Sequence, residues 1–145
     1  MTKTIRAALA LAALVSGEAA HAQEGDMCIA ARSIVSYLPD HLNQIGGAKD
    51  QDGDLVGTIK FPLALRCWVG KKKPIYTCVF HLPAAQADSQ TQALANVIDG
   101  CFPNTAGTRR PDYYSWRIGE NRVHLSRTDV AGDDTRLFLV FGDSR

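Results

Sequence analysis

The sequence predicts a small, disulfide-bonded α+β domain, in which an antiparallel sheet packs with two main helices. Apolar residues recur at helical spacing in two segments and alternate with polar residues in most of the others. The predicted order is helix, two or three strands, helix, three strands, and this separation of helices from strand pairs is typical of α+β domains. Four cysteines and a length of 145 residues are consistent with one domain held by two disulfides.

The N-terminus has the three parts of a cleaved secretory signal peptide. Lys3 and Arg6 precede an apolar run over residues 7–15, and the small residues Ala20 and Ala22 follow it. The run is too short to span a membrane, which requires about 20 apolar residues. We therefore predict a signal peptide over residues 1–22, a mature domain over residues 23–145, and a periplasmic or secreted location.

The charge balance argues against polyanionic partners. Removal of Lys3, Arg6 and Glu18 with the signal peptide changes the formal net charge from +1 to zero. A neutral chain has no overall field that would attract nucleic acid or an anionic membrane surface. The sequence thus predicts no nucleic-acid partner, and its later segments contain no candidate transmembrane span.

The spacing of the cysteines favours structural disulfides. The strand-like sequences around Cys67 and Cys78 flank the turn-forming segment GKKKP, so they predict a hairpin in which Cys67 lies opposite Cys78. Opposed residues have Cα atoms about 4.5–5.5 Å apart, which suits a disulfide. Cys28 and Cys101 then form the second pair. The close spacing typical of zinc sites and of Cys-x-x-Cys redox pairs is absent, and we predict no metal and no cofactor.

The first half of the mature domain predicts one helix and two or three strands. Residues 27–45 form the helix, with a kink or a break at Pro39, and Gly46 and Gly47 end it. A polar loop over residues 48–54 leads to one bent strand or two short ones over residues 55–69. Residues 75–82 pair with the second half of that segment. The apolar stripe of the helix consists of Ile29, Ile34, Leu38, Leu42 and Ile45.

The second half predicts a helix followed by three strands. Asp88 is the expected N-cap, and Gly100 and Pro103 mark the end of the helix. The strands centre on residues 114–118, 123–125 and 137–141, and the last is apolar enough to be central in the sheet. The apolar stripe of this helix consists of Leu94, Val97, Ile98 and Cys101.

No catalytic constellation is predicted. The acidic loop over residues 48–59 lacks the ligands that an EF-hand requires at its first and last positions. His41, His81 and His124 belong to no metalloprotease or nucleophile motif. A triad assembled through space stays open as an alternative, and the expectation is a protein that is not an enzyme.

Two basic clusters are the predicted partner contacts. Lys71, Lys72 and Lys73 occupy the tip of the predicted hairpin, where they would either bind an anionic partner or simply keep the tip soluble. Arg109, Arg110 and Tyr113 form a basic and aromatic cluster, and Arg and Tyr are enriched in protein interfaces.

The order of elements resembles the helix-strand-helix-strand layout of secretion-chaperone-like domains, and the four cysteines resemble those of small exported bacterial proteins. No local motif supports either resemblance, and no residue role follows from it. The expected function is that of a non-catalytic protein of the bacterial periplasm that binds another exported protein as an inhibitor, immunity factor or assembly accessory. The alternatives are a binding module for a small anion, envelope glycan or lipid, and a hydrolase.

Overall fold

A computed structural model describes residues 18–130 and 132–142 of the chain. Most of the predicted signal peptide, residues 1–17, lies outside the described residues. Its last five residues, 18–22, begin the first helix, α1, which runs over Glu18–Ser36. The second helix, α2, covers Ala87–Cys101, and short 3-10 helices occupy Leu42–Ile45 and Ala84–Gln86.

Eight strands form a single antiparallel sheet. Four precede α2 and four follow it: β1 Gly46–Lys49, β2 Leu55–Gly57, β3 Arg66–Val69, β4 Tyr76–Pro83, β5 Ala106–Arg110, β6 Tyr113–Ile118, β7 Asn121–Val130 and β8 Asp134–Phe141. The order across the sheet is β1-β2-β3-β4-β8-β7-β6-β5. Each half is therefore a meander of sequential strands, and β4 and β8 join the two halves over eight paired positions.

Both helices contribute to a core on one face of the sheet. Successive strand residues point to opposite faces, so every second residue enters this core. From the central and C-terminal strands these include Tyr76, Cys78, Phe80, Tyr114, Trp116, Val123, Leu125, Leu137, Leu139 and Phe141, which cluster with Ile34 of α1 and Ile98 of α2. The strand residues between them point to the other face.

Two disulfides hold the domain, in the pairs expected from the cysteine spacing. Cys67 and Cys78 are opposed Cα partners on β3 and β4, and they are bonded. Cys28 of α1 is bonded to Cys101 at the end of α2. Arg32 reinforces the contact between the helices, because its guanidinium donates to the Cys101 carbonyl at 3.1 and 3.2 Å. The structure is a disulfide-bonded α+β domain, as predicted.

The predicted boundaries around the first helix require correction. The α-helix ends at Ser36 rather than continuing to Ile45, and a 3-10 helix follows beyond Pro39. Ile29, expected in the apolar stripe, is 67% exposed, whereas Ile34, Leu38, Leu42 and Ile45 are buried. As predicted, the helical segment ends before Gly46, which caps the 3-10 helix, but Gly46 and Gly47 also begin β1, whose Gly-Gly-Ala-Lys sequence has no apolar alternation to reveal a strand.

Two further expectations about elements were wrong. Asp88 lies within α2, which starts at Ala87 after a 3-10 turn, and its carboxylate bonds Arg127 rather than capping the helix. β5 was not predicted, because its sequence AGTRR is exposed throughout and pairs only with β6 at the sheet edge. The sheet consequently has more strands than the sequence predicts, although the fold class is the same.

Candidate functional site

The candidate site is the face of the sheet that points away from the helices, here called the open face. Its position follows from α2, which contacts Tyr114, Trp116 and Arg127 on the other side. The alternate residues of the same strands therefore face away from both helices. The open face includes Val56, Arg66, Trp68, Thr77, Val79, His81, Arg110, Tyr113, Ser115, Arg117, Arg122, His124, Ser126, Thr128, Asp134, Arg136, Phe138 and Val140.

The centre of the open face is apolar. Val79 and Val140 are each only 7% exposed although they do not belong to the core cluster. Larger neighbours shield them, since Phe138 is the cross-strand partner of Val79 and His124 is that of Val140. Trp68 borders this apolar centre on β3, and the Arg66 guanidinium lies 4.5 Å from the centroid of its ring.

An aromatic stack borders the apolar centre on the other side. The ring of Tyr113 is stacked on the imidazole of His124, with centroids 5.6 Å apart and an interplanar angle of 26°. The Arg110 guanidinium lies 5.5 Å from the Tyr113 ring centroid, which is within the range of a cation–π contact. Arg110 also lies 3.7 Å from the carboxylate of Asp112.

The surroundings of His124 disfavour the charged form of its imidazole. Burial lowers the pKa of its imidazole, and the positive charge of Arg122, two residues away on the same strand, lowers that pKa further. Its Nδ1 atom is buried and has no hydrogen-bond partner among the described residues. The open face thus holds a buried ring nitrogen without a hydrogen-bond partner among the described residues, close to the exposed Arg122.

The arginines of the two faces differ in their partners. On the helix side, Arg109 pairs with Asp99, and Arg127 pairs with both Asp88 and Asp129. On the open face, the guanidinium groups of Arg117, Arg122 and Arg136 form no hydrogen bond or ion pair with any described residue. The charge of the helix side is neutralised locally, and part of the charge of the open face is not.

The predicted cluster of Arg109, Arg110 and Tyr113 is divided between the two faces. Arg110 is the cross-strand partner of Tyr113 on the open face, whereas Arg109 is the partner of Tyr114 on the helix side. Sequence proximity suggested one patch, but adjacent residues of a strand point in opposite directions. Of this cluster, Arg110 and Tyr113 alone belong to the candidate site.

The lysine run lies in the hairpin that carries Trp68 and Thr77 of the open face, and not on the strands of Arg110 and Tyr113. Lys71, Lys72 and Lys73 lie in the connection between β3 and β4, and β8 and β7 intervene between this hairpin and β6. The backbone N–H of Lys71 donates to the Asp54 carboxylate at 2.9 Å, and its ammonium donates to the Asp52 carbonyl. Lys71 therefore stabilises the turn between β1 and β2, a role that the sequence did not predict.

Sequence reasoning missed most residues of the open face, including Trp68, Phe138 and His124. One signal was present for Arg117 and Arg122. Both lie beside the short connection at Gly119 and Glu120 between the predicted strands centred on residues 114–118 and 123–125, and a tight hairpin there places them opposite each other.

A concave feature apart from the open face lies at the end of the sheet between α1 and α2. This cavity of about 520 Å³ is lined mainly by apolar side chains, among them Met27, Leu63, Phe80, Leu94 and Leu137. Gln23, Glu24 and Gln90 add polar groups to its wall.

Within residues 18–130 and 132–142, no helix has the length and apolar character needed to cross a membrane. The same residues contain no group of three or more His, Cys, Asp or Glu side chains placed to hold a metal ion. No protein-family model matches the chain, and neither the curated proteins nor the solved structures include a significant match to it.

Proposed function

We propose that the protein is a non-catalytic binding protein of the bacterial periplasm that uses the open face to bind another exported protein. The open face carries this proposal. It joins an apolar centre to half-buried Trp68, Phe138 and Tyr113 and to exposed arginines, on a domain whose other face is covered by its helices. Aromatic residues and arginine are the types most enriched at protein interfaces and among their energetic hot spots.

The location in the proposal is supported by the N-terminal sequence and the disulfides. The pattern of residues 1–22 is typical of a signal peptide. Disulfides such as Cys28–Cys101 and Cys67–Cys78 persist in oxidising compartments and are rare in the cytosol.

The open face is suited to binding because strand pairing fixes the backbone that carries it. Most of its residues stand on strands paired on both sides, and β4 and β8 are paired along their full lengths, whereas Arg110 lies on the edge strand β5. A preorganised surface loses little conformational entropy on association, so more of the contact energy contributes to affinity. A partner would be held by steric and chemical fit, as expected for an inhibitor, immunity factor or assembly accessory.

The experiment is capture of a partner from envelope extract by the full, C-terminally tagged chain, purified without reducing agent. The captured protein is then purified, and its dissociation constant is measured with Trp68→Ala and Tyr113→Ala variants. We expect each substitution to weaken binding at least about tenfold, as truncation of interface aromatics does.

Ile29→Ala is the matched control for this experiment. Ile29 is 67% exposed and lies on α1, away from the open face. The control variant is expected to bind as the parent does, and thermal melts check that all three variants are folded. Parental affinity in both the Trp68 and Tyr113 variants, or no stoichiometric partner, would refute the proposal.

The apolar cavity favours one second candidate, a binding module for a lipid or another small ligand with an apolar part. Cavities of several hundred Å³ lined by apolar side chains and a few polar groups are typical of small-molecule sites. This candidate places the ligand against Phe80, Leu94 and Leu137 rather than on the open face.

A further inference from the structure

Two like-charged side chains lie opposite each other on the open face. Arg117 of β6 and Arg122 of β7 are directly opposed Cα partners, and both are exposed. Like charges at opposed positions of adjacent strands destabilise a sheet, because their side chains are held close together.

Nothing in the described part of the chain compensates this pair. Neither guanidinium has a hydrogen bond or an ion pair there, and Glu120 in the intervening turn bonds neither of them. By contrast, the two open-face arginines that lie over aromatic rings each have a carboxylate at 3.7 Å. Arg66 has that of Asp50, and Arg110 has that of Asp112.

Protection of a sheet edge does not account for the pair. Charged residues on an edge strand discourage pairing with other chains. However, β6 lies between β5 and β7, and β7 lies between β6 and β8. The backbone groups of both strands are already paired, so the two arginines have no edge to protect.

We propose that Arg117 and Arg122 together bind a carboxylate of the partner protein, supplied by an exposed Asp or Glu in an acidic segment. This proposal rests on the proposed function and specifies the chemistry of the partner. A guanidinium donates paired, charge-assisted hydrogen bonds that match the two oxygens of a carboxylate. Two such groups side by side can bind both oxygens, and the bound anion removes the repulsion between them.

The surroundings favour a protein partner over a polyphosphate or a membrane. The pair lies near His124, whose ring is half-buried, and the cross-strand partner of His124 is the buried apolar Val140. Arg66 and Arg110 each lie 3.7 Å from an acid, and Arg136 lies opposite Thr128 and His81, so Arg117 and Arg122 are the only directly opposed guanidinium groups among the described residues of the open face. One opposed pair of this kind beside apolar surface fits a single carboxylate within a protein interface.

The test uses hexaglutamate as the probe and the full, oxidised, ¹⁵N-labelled chain, exported with its own leader. Amide shifts are recorded during titration, for the parent and for the double variant Arg117→Gln/Arg122→Gln. We expect the shifts to centre on residues 115–124 and the affinity of the double variant to fall at least about tenfold. The double variant Lys49→Gln/Lys60→Gln is the matched control, since it removes the same charge from exposed positions elsewhere and should bind as the parent does.

Three outcomes would overturn the proposal. The first is an affinity for hexaglutamate that falls equally in the two double variants, which would indicate general charge attraction. The second is binding of inorganic phosphate at the same residues as tightly as hexaglutamate. The third is tighter binding to phosphatidylglycerol vesicles with the same dependence on Arg117 and Arg122, which would indicate a lipid surface.

The titration can fail or succeed separately from the capture experiment that tests the proposed function. The titration requires no captured partner, so loss of hexaglutamate binding in the arginine variant can be observed even when Trp68→Ala leaves partner binding unchanged. Conversely, a partner that needs Trp68 and Tyr113 but binds equally well without Arg117 and Arg122 would refute the carboxylate proposal alone.

Discussion

At the scale of single residues, burial and charge decide which groups can change state near neutral pH. His124 is half-buried, stacked on Tyr113 and close to the positive charge of Arg122. Burial and the charge of Arg122 both disfavour a positive charge on the imidazole, so its pKa falls below its ordinary value of 6.5. Protonation of this ring is therefore linked to unfolding.

We expect the free energy of unfolding to fall as the pH is lowered through 6.5, the ordinary pKa of His124. The contribution of the neutral His124 ring to the free energy of unfolding is fully present above this pH. It is lost as the pH approaches the lowered pKa of the folded state, because the unfolded chain takes up the proton first. The measurement is a series of urea unfolding curves between pH 8 and pH 5.

The His124→Gln variant should show a flatter dependence on pH than the parent. His41→Gln is the matched control, because His41 is exposed and contacts only Gln44 among the described side chains. The physical account fails if the slope of unfolding free energy against pH is the same for the parent and the His124 variant.

At the scale of elements, one carboxylate connects a helix to two strands. Asp99 of α2 accepts a hydrogen bond from the indole N–H of Trp116 on β6 at 2.7 Å, and its other oxygen pairs with Arg109 of β5. Trp116 is 1% exposed, so its indole N–H depends on Asp99 as its acceptor. This contact links α2 to β5 and β6 of the C-terminal meander.

The Asp99→Ala variant should lose about 1–3 kcal/mol of unfolding free energy, the effect of leaving a buried donor without an acceptor. Asp99→Asn should lose less, because its side-chain carbonyl can still accept from Trp116. Denaturant unfolding of the two variants checks which one loses more unfolding free energy.

Asp112→Ala provides the comparison with an exposed pair. Asp112 has a 70% exposed side chain 3.7 Å from Arg110, and pairs of this kind contribute about 0–1 kcal/mol. A larger loss for Asp112→Ala than for Asp99→Ala would contradict the role assigned to Asp99.

At the scale of the whole molecule, two four-stranded meanders share one sheet and are tied at two places. β4 and β8 join them through backbone hydrogen bonds. The disulfide between Cys28 and Cys101 spans 73 residues and connects the start of the first half to the end of α2, whereas that between Cys67 and Cys78 spans only 11 within the first half. The longer closure restricts the unfolded chain more.

Removal of the Cys28–Cys101 disulfide by a double Cys→Ser substitution should lower the unfolding free energy by about 4 kcal/mol. The same change at Cys67 and Cys78 should lower it by about 3 kcal/mol, because the loop is shorter. Unfolding curves of both double variants, measured with the remaining disulfide intact, give the comparison. A larger loss for the Cys67 and Cys78 variant would show that packing around the hairpin outweighs chain entropy.

Local sequence was sufficient to predict that two main helices form, the fold class, and the hairpin register that places Cys67 opposite Cys78, but not the bounds of the first helix. A short turn sets the register of the strands that it joins, and the alternation of apolar residues reinforces it. The edge strands β1 and β5 escaped prediction, because they bury little and carry no apolar pattern.

The sequence by itself determined the class of domain, the cysteine pairing and the export pattern that supports the proposed location. Only the tertiary structure decided which surface is left for a partner. The side that the helices cover depends on long-range packing, and a strand residue shares that side or the opposite one according to its register. For this reason Arg109 and Arg110, adjacent in sequence, belong to opposite faces, whereas Arg66, Tyr113 and Arg122 belong to one.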